Sequence, residues 1–181
     1  HEWPLPEKYR NNVCDWEARY CCRARVYGGH DCYEFVRAVD ADTDADCRGL
    51  LAVYDALAQQ GNWIKMVDIA RVCAMWLRGG MYLDTDMEIG GRTFSAEDMA
   101  DGRCWLVEDA EGVVQNHFFR APRAHCFVRF LLHVLTANAL AEEHVVQATG
   151  PCAVTAAHGV YTGTREASDA LLRLDQNNEG G

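Results

Sequence analysis

The spacing of apolar and polar positions along the chain predicts a series of helices. In most of these segments apolar residues recur every three or four positions, which places them on one helical face. Residues 63–78 differ because they are apolar on almost every side, as in a buried helix. The predicted helices are residues 11–20, 31–39, 47–59, 63–78, 95–99, 122–136, 149–158 and 164–175.

Short strands are predicted between these helices. Residues 21–27 alternate, with Arg23 and Arg25 on one face and smaller side chains on the other. The remaining predicted strands are residues 81–87, 104–107 and 113–119. The first ten residues contain Pro4 and Pro6 and are expected to be extended. Because strands alternate with helices, we expect an α/β layered fold.

Length and composition describe one globular domain. The chain has 181 residues, of which 49% are hydrophobic and 24% charged, so it can enclose a core without needing disulfides. We expect residues 1–175 to form the domain and the polar residues 176–181 to fray. No apolar run approaches the ~20 residues of a membrane span, so a cytoplasmic protein is expected. The secretory-pathway lumen is the alternative, for a chain that has lost an anchor.

The net charge of −10 restricts the partners of this chain. An acidic molecule repels phosphate backbones and anionic membrane surfaces, so no nucleic-acid partner is expected. An anionic ligand is still compatible with this charge if a few basic residues, or a divalent cation, gather at one place.

Nine cysteines are scattered through the predicted elements, and none forms a CxxC pair. No basic leader followed by an apolar stretch precedes them. We therefore expect buried reduced thiols rather than a disulfide framework or a zinc site.

The strongest chemical signal is the segment Gly79-Gly80-Met81-Tyr82-Leu83-Asp84-Thr85-Asp86. If the two aspartates end a strand, they share one face, because residues i and i+2 of a strand point the same way. Two such carboxylates repel each other unless a cation lies near them, and oxygen ligands suit Mg²⁺ or Mn²⁺. The alternative is a strand end with two solvated acids.

The preceding helix carries charges on an otherwise apolar surface. Asp68 and Arg71 are neighbours on one face, and Lys65 lies one turn earlier. Such charges are costly unless they reach solvent, each other or a ligand. An arginine beside a metal-binding carboxylate pair suits a diphosphate. An exposed, ordinary ion pair is the alternative.

Together these two motifs resemble a known family. Asp68-Ile69-Ala70-Arg71, followed by the Gly79 to Asp86 segment, is similar to the sugar-binding region of DXD-containing glycosyltransferases, family 32 and its relatives. Weaker similarity continues at residues 114–122 and at Thr149-Gly150-Pro151, and residues 1–3 resemble part of the family's opening strand. Only residues 65–88 carry a specific match.

The resemblance implies a GT-A fold, an α/β nucleotide-sugar-binding sandwich whose mixed, mostly parallel central sheet is flanked by helices. It also implies a retaining glycosyltransferase that depends on Mn²⁺ or Mg²⁺. Such an enzyme moves a hexose from a nucleotide-diphosphate sugar to a glycan or glycoprotein acceptor. A UDP-sugar is favoured as the donor, and a GDP-sugar is the other choice.

The resemblance also implies roles for individual residues. The metal ligands are expected to be Asp86 and Asp84. The residues expected in catalysis are Asp84, Asp86 and Asn116. The residues expected to bind the donor's sugar, phosphates or nucleotide are Asp68, Arg71, Tyr82, Asp84 and His117.

Other interpretations stay open. Many members of the family end in a lid segment with Trp or His, whereas no tryptophan follows Trp105 here. A catalytically weak nucleotide-sugar-binding domain of a larger glycosylation assembly is therefore the alternative, and a metal-dependent phosphoryl or nucleotidyl transferase is a third. Glu108 and Asp109 are further candidates for the reacting centre by position alone, although an exposed acidic turn explains them better.

Overall fold

The described part of the chain consists of seven helices and four strands. The structure is a computed structural model that describes residues 5–88, 102–164 and 172–175. The elements in chain order are α1 (Glu7–Tyr20), α2 (Gly29–Asp40), α3 (Leu50–Gln59), α4 (Trp63–Arg78), β1 (Gly80–Leu83), β2 (Trp105–Glu108), β3 (Val114–Ala121), α5 (Cys126–Asn138), α6 (Val145–Ala148), α7 (Pro151–Thr164) and β4 (Leu172–Asp175). The predicted helices that correspond to α2, α3, α4, α5 and α7 are confirmed, and α4 has the predicted bounds.

The four strands form one mixed sheet in the order β1-β3-β2-β4. Strand β3 pairs antiparallel with both β1 and β2, and only the β2–β4 pair is parallel. The mixed sheet is confirmed, but the expectation of mostly parallel strands is wrong for the described residues. The reason is local: β2 and β3 are joined by a tight turn, and a short hairpin connection forces the two strands to be antiparallel.

The turn between β2 and β3 is built around Asp109. Its backbone N–H donates to the carbonyl of Val113 (3.0 Å), and its Oδ1 accepts the N–H groups of Glu111 (3.1 Å) and Val113 (2.8 Å). Gly112 completes the turn with a φ of 80°. Asp109 is therefore engaged in holding the turn. The prediction of an exposed acidic turn is wrong for Glu108, which ends β2, and both side chains are only partly exposed.

Helix α4 lies at the centre of the core. It packs against α2, α3 and α5 and contacts β1 and β3. Its Ile69, Val72 and Cys73 are buried in one cluster with Leu57 of α3 and Leu132 of α5. Fully burying such aliphatic side chains stabilises a fold by about 1.5–3 kcal/mol each. The position of α4 is therefore fixed by packing on several sides.

Helix α4 ends at Gly79, where only glycine fits. Its φ is 63°, and a Cβ added there would lie 2.4 Å from the backbone nitrogen of Arg123. The Gly79 N–H still donates to the carbonyl of Met75 (2.9 Å), which closes the last helical turn. The chain can then turn directly into β1 beside the end of β3.

The predicted strand 21–27 is wrong. The chain leaves α1 at Cys21 with a left-handed φ of 46° and then runs without regular structure to α2. Residues 23–26 are exposed on both alternating faces, so the segment buries no face of its own. Alternation reveals which residues share a face, but a strand also requires a neighbour to pair with.

The ends of the chain also differ from the prediction. Helix α1 begins at Glu7, directly after Pro6, because proline is tolerated at a helix start. Residues 7–10 are thus helical rather than extended. The predicted last helix, residues 164–175, is wrong for Leu172–Asp175, which pair with β2 as strand β4. The predicted short helix at 95–99 and the tail at 176–181 lie outside the described residues.

The cysteine prediction holds for only some of the thiols. Cys47, Cys73 and Cys104 are buried, whereas four other cysteines are exposed; all nine are free thiols. Burial raises the pKa of the Cys47 thiol to about 11, so this thiol is protonated at neutral pH.

Among the described residues, no helix is both long enough and apolar enough to span a membrane.

Candidate active site

The first turns of α4 reverse the usual distribution of polar and apolar side chains. Trp63 is 64% exposed, and Ile64 and Val67 are exposed as well, whereas Lys65 and Asp68 are almost completely buried. Buried charges are costly unless they are paired and hydrogen-bonded. The prediction that α4 is a uniformly buried apolar helix is therefore wrong at this end, and the partners of its charges identify the site.

Lys65 has a structural role. Its Nζ donates to the carbonyl of Ala139 (3.0 Å) and to the carbonyl of Glu142. Ala139 directly follows α5, where the last helical carbonyls have no partner within the helix. The ammonium group therefore caps the carboxyl end of α5, where a positive charge is favoured by the helix dipole.

Asp68 is the centre of a buried hydrogen-bond network. Its Oδ1 accepts from Asn116 Nδ2 (3.0 Å) and forms an ion pair with Arg71 Nη2 (3.0 Å). Its Oδ2 accepts from the hydroxyl of Thr149 (2.8 Å). Burial raises the pKa of Asp68 to about 6, and Arg71, Thr149 and Asn116 oppose that rise by stabilising the carboxylate. At neutral pH the carboxylate is therefore ionised, but only because these donors hold it.

Arg71 connects Asp68 to the aspartate that follows β1. Its Nη1 lies 3.3 Å from Asp84 Oδ1 and donates to the backbone carbonyl of Asn116 (2.7 Å). The guanidinium carbon lies 4.9 Å from the centre of the Tyr82 ring, a cation–π contact. An arginine side chain has five N–H donors. The buried Nε of Arg71 has no hydrogen-bond partner among the described residues. Arg71 is thus paired with two carboxylates and retains a donor.

Tyr82 and Asp84 complete the network on the sheet side. The Tyr82 hydroxyl donates to Asp84 Oδ1, and burial raises the pKa of Tyr82 well above its ordinary value. The Asp84 N–H donates to the carbonyl of His117 on β3 (2.9 Å). Burial lowers the pKa of His117 against the opposing effect of Asp84, so its imidazole is neutral at pH 7.

Asp86 stands apart from this network. β1 ends at Leu83, and residues 84–87 form a turn in which the Met87 N–H donates to the carbonyl of Asp84 (3.1 Å). The predicted strand 81–87 is thus too long, and the prediction that the two aspartates share a strand face is wrong. Asp86 is exposed, with no hydrogen bond or ion pair among the described residues.

Helix α1 holds this turn from the other side. Asn12 Nδ2 donates to the carbonyl of Thr85 (3.0 Å), and Trp16 Nε1 donates to the carbonyl of Met87 (3.2 Å). Trp16 itself is buried and stacks on Tyr20, with 5.0 Å between the ring centres. Two side chains of one helix therefore fix the backbone that carries Asp84 and Asp86.

Arg71, Tyr82 and Asp84 of this network line an open cleft of about 1030 Å³. Asp68 and Asn116 do not line it but contact Arg71 from the interior of the protein. α4 and β1 form the floor, while α1 and residues 22–29 form the walls. Among the described residues, the charged side chains that line the cleft are four arginines and two aspartates, so basic groups outnumber acidic ones: Arg23, Arg25, Arg71, Arg78, Asp84 and Asp86. Aromatic rings such as Trp63, Tyr27 and Tyr33 line its apolar part. Basic groups are thus concentrated at one place, as an anionic ligand requires.

Six of the seven site residues predicted from the sequence meet in this network, namely Asp68, Arg71, Tyr82, Asp84, Asn116 and His117. The seventh, Asp86, lies at the edge of the cleft. Sequence reasoning missed the contact between Thr149 and Asp68. The only sequence signal for it was the Thr149-Gly150-Pro151 similarity, which indicates no partner.

Comparison with solved structures identifies the fold as that of a glycosyltransferase. A structure described as PaToxG glycosyltransferase aligns with 88% of this chain at a TM-score of 0.62 and 15% sequence identity. The chain covers 65% of that neighbour, which is less than two thirds of its length. No family model matches the sequence, and no curated protein matches it.

Proposed function

We propose that this chain is a metal-dependent, retaining glycosyltransferase of the DXD-containing type, which moves a hexose from a nucleotide-diphosphate sugar to a glycan or glycoprotein acceptor. A UDP-sugar is the favoured donor, and a GDP-sugar is the other choice. The observation that carries the proposal is the Asp68–Arg71–Asp84 network, whose Arg71 and Asp84 line a cleft in which the described basic side chains outnumber the acidic ones. The glycosyltransferase fold supports the same class.

Arg71 is the residue that we assign to the donor diphosphate. Cleavage of the bond between the anomeric carbon and the phosphate oxygen leaves negative charge on the diphosphate. A fixed guanidinium stabilises that charge without reorganising, and Asp68 and Asp84 hold Arg71 in one orientation. Its buried Nε has no hydrogen-bond partner among the described residues.

The carboxylate of Asp84 lines the cleft and is suited to accept hydrogen bonds from sugar hydroxyls. The buried Asp68 carboxylate serves the donor by holding Arg71. Each carboxylate oxygen can accept more than one hydrogen bond, so contacts within the network leave acceptor capacity. Tyr82 stacks on Arg71 and positions Asp84 through its hydroxyl, and we assign it to the nucleotide part of the donor. Asn116 and His117 lie on the adjacent strand, where Asn116 donates to Asp68 and the His117 carbonyl accepts from the Asp84 N–H, and we assign both to the donor site through these contacts.

Asp86 is the candidate ligand for a divalent cation in this proposal. Its carboxylate is exposed in the cleft, and oxygen ligands are those that Mn²⁺ and Mg²⁺ prefer. Asp84 is the second candidate ligand, although its Oδ1 is already bound by Arg71 and Tyr82. A bound cation would supply Lewis-acid stabilisation of the departing diphosphate.

One observation favours a second candidate, a nucleotide-sugar-binding domain with weak or no turnover. Within the described ranges, no group of three or more His, Cys, Asp or Glu side chains could hold a metal ion. A cation at Asp86 would then depend strongly on the donor's own phosphates. Both candidates predict donor binding, and only the enzyme predicts release of the hexose.

A thermal-shift screen of UDP- and GDP-sugars, with and without Mn²⁺, tests the proposal. A ligand that binds only the folded state raises the melting temperature. We expect at least one nucleotide sugar to stabilise the chain more in the presence of Mn²⁺. The stabilising donor is then incubated with Mn²⁺, and free hexose is measured. Stabilisation without hexose release supports the binding domain, and no stabilisation by any donor contradicts both candidates.

A further inference from the structure

We propose that Thr149 is a positioning residue of the donor site, which holds the Asp68 carboxylate against Arg71. The inference rests on the proposed function, because Asp68 and Arg71 are assigned there to the donor. It extends that site to residues beyond the motif segments on α4 and β1. Thr149 is itself buried, so its hydroxyl acts through Asp68 rather than on the donor.

Three side chains divide the two oxygens of Asp68 among them. Arg71 and Asn116 both contact Oδ1, and Thr149 is the partner of Oδ2. A partial rotation of the carboxylate about its Cβ–Cγ bond would move Oδ1 out of line with Arg71. The Thr149 hydroxyl, 2.8 Å from Oδ2, opposes that rotation and satisfies an oxygen that would otherwise be buried without a donor.

The residues around Thr149 explain the Thr149-Gly150-Pro151 sequence. Thr149 ends α6, and its N–H and that of Gly150 both donate to the carbonyl of Val145 (2.9 Å each). A Cβ on Gly150 would lie 2.9 Å from Val146 Cα, so a larger residue would push this tight turn open. Pro151 is the first residue of α7, a position that proline favours. Each residue of the motif thus helps to place the hydroxyl.

The charged and titratable groups around Asp68 come from three places. Arg71 lies on α4, Tyr82 and Asp84 belong to β1 and the turn after it, and His117 on β3 faces Asp84 and Arg71. The Thr149 hydroxyl lowers the pKa of Asp68 together with Arg71 and Asn116. Removing the hydroxyl should therefore raise the pKa of Asp68, with these other groups unchanged.

The test compares Thr149→Val with Thr149→Ser in two measurements. The first follows the Asp68 carboxyl by ¹³C NMR titration without any ligand, and the second measures the Kd of the stabilising UDP- or GDP-sugar with Mn²⁺. We expect Thr149→Val to raise the pKa of Asp68 and to weaken donor binding roughly tenfold, the effect of losing a hydrogen bond to a charged group. Thr149→Ser keeps the hydroxyl, so its Kd for the donor should remain within about twofold of the wild-type value.

Thr155→Val is the matched control. The Thr155 hydroxyl also bridges two elements, since it accepts from the Val114 N–H (2.8 Å) and donates to the Pro151 carbonyl (2.8 Å), but it does not touch Asp68. Its loss should lower the melting temperature without changing either measurement. If Thr149→Val does not fold, Thr149→Ala removes the same hydroxyl without adding bulk.

The outcomes separate this inference from the proposed function. An unchanged pKa of Asp68 in Thr149→Val, or an unchanged donor Kd, overturns the positioning role. Equal losses of donor affinity in Thr149→Val and Thr155→Val also overturn the positioning role, because they would indicate general destabilisation. If the wild type binds no nucleotide sugar, the proposed function fails, while the carboxyl titration still decides whether Thr149 controls Asp68.

Discussion

Two acid–arginine pairs with the same sequence spacing lie in very different surroundings. Glu34 and Arg37 on α2, and Asp68 and Arg71 on α4, are both three residues apart and both form ion pairs. The Arg37 side chain is 62% exposed, whereas that of Arg71 is 8% exposed. An exposed pair contributes little to stability because water screens it, whereas a buried pair cannot lose one member without leaving an unpaired charge.

The difference lies in what each helix packs against. Arg37 has Glu34 as its partner on an exposed surface, whereas Arg71 is enclosed by Tyr82, Asp84 and the backbone of Asn116. Spacing alone indicates that two charges can meet, but tertiary contacts decide whether their pairing matters. The buried pair is thus the one that can serve a ligand site.

The largest effect is expected from breaking the buried pair. Arg71→Ala should lower the free energy of unfolding by about 3–5 kcal/mol, because Asp68 would remain buried without its counter-charge. Donor binding should be lost as well. Urea denaturation followed by circular dichroism measures the first effect, and calorimetry the second.

Arg37→Ala is the matched control for this variant. It removes an arginine at the same spacing from an exposed pair, so we expect no measurable change in the urea midpoint or in donor affinity. Equal midpoints for the two variants would show that the burial of Arg71 does not matter. Arg71→Lys keeps the positive charge but removes the guanidinium fork, and it should weaken donor binding while largely preserving the fold.

The next effect is expected at Asp86. Because this carboxylate is exposed and has no partner among the described residues, Asp86→Ala should leave the melting temperature unchanged. The Mn²⁺-dependent part of donor binding or hydrolysis should disappear. Asp55→Ala, which removes an exposed acid on α3, is the control. It should keep the wild-type melting temperature and the Mn²⁺-dependent donor binding or hydrolysis. Metal dependence that survives in Asp86→Ala would exclude Asp86 as a ligand.

Donor binding and fold stability should respond to pH in opposite directions at Asp68. Its pKa in the folded protein is about 6, above the ordinary value of 3.8, so the folded chain binds this proton more tightly than the unfolded chain. The contribution of Asp68 to stability is therefore present in full below the ordinary value and is lost as pH rises through 6. Donor binding needs the carboxylate and should weaken as pH falls through 6.

Asp68→Asn checks this pH dependence. The amide does not titrate, so the contribution of position 68 to the stability profile should vanish when melting temperatures are compared between pH 4 and 8. Calorimetric titration of the wild type over the same range gives the binding profile. Donor affinity that stays constant between pH 5 and 7 would contradict a requirement for ionised Asp68.

The smallest effect is expected on the opposite wall of the cleft. Arg23 and Arg25 are exposed, so their attraction for an anionic donor is screened by salt. The double variant Arg23→Ala/Arg25→Ala should weaken donor binding about two- to threefold at low ionic strength and not at all in 0.5 M NaCl. Arg48→Ala, at an exposed arginine outside the cleft lining, is the control. If the double variant lost as much donor affinity as Arg71→Lys, the diphosphate would bind this wall of the cleft instead.

Much of the site can be predicted from the sequence because its signals are local. The spacing of Asp68 and Arg71, the paired glycines and the two aspartates lie within one helix and the segment after it. Asn116 joins them because β3 pairs with β1, with Leu83 opposite Phe118. Local pattern and family resemblance are therefore sufficient for these residues.

The rest depends on contacts between distant parts of the chain. Thr149 lies 81 positions from Asp68, and no local pattern connects them. The alternation in residues 21–27 shows a possible strand face but not whether a neighbouring strand is there to pair with it. The two aspartates leave the strand because the chain turns after Leu83, where α1 holds the backbone of Thr85 and Met87. Such pairings are properties of the whole fold.

Calorimetric titration of the wild type and Arg71→Lys with UDP- and GDP-sugars, each with and without Mn²⁺, tests the central claim most directly. We expect the wild type to bind at least one of these donors in a Mn²⁺-dependent way. We expect Arg71→Lys, at an unchanged melting temperature, to bind that donor at least tenfold more weakly. Equal affinities for the two proteins, or no binding of any donor by the wild type, would contradict the assignment of Arg71 to the donor diphosphate.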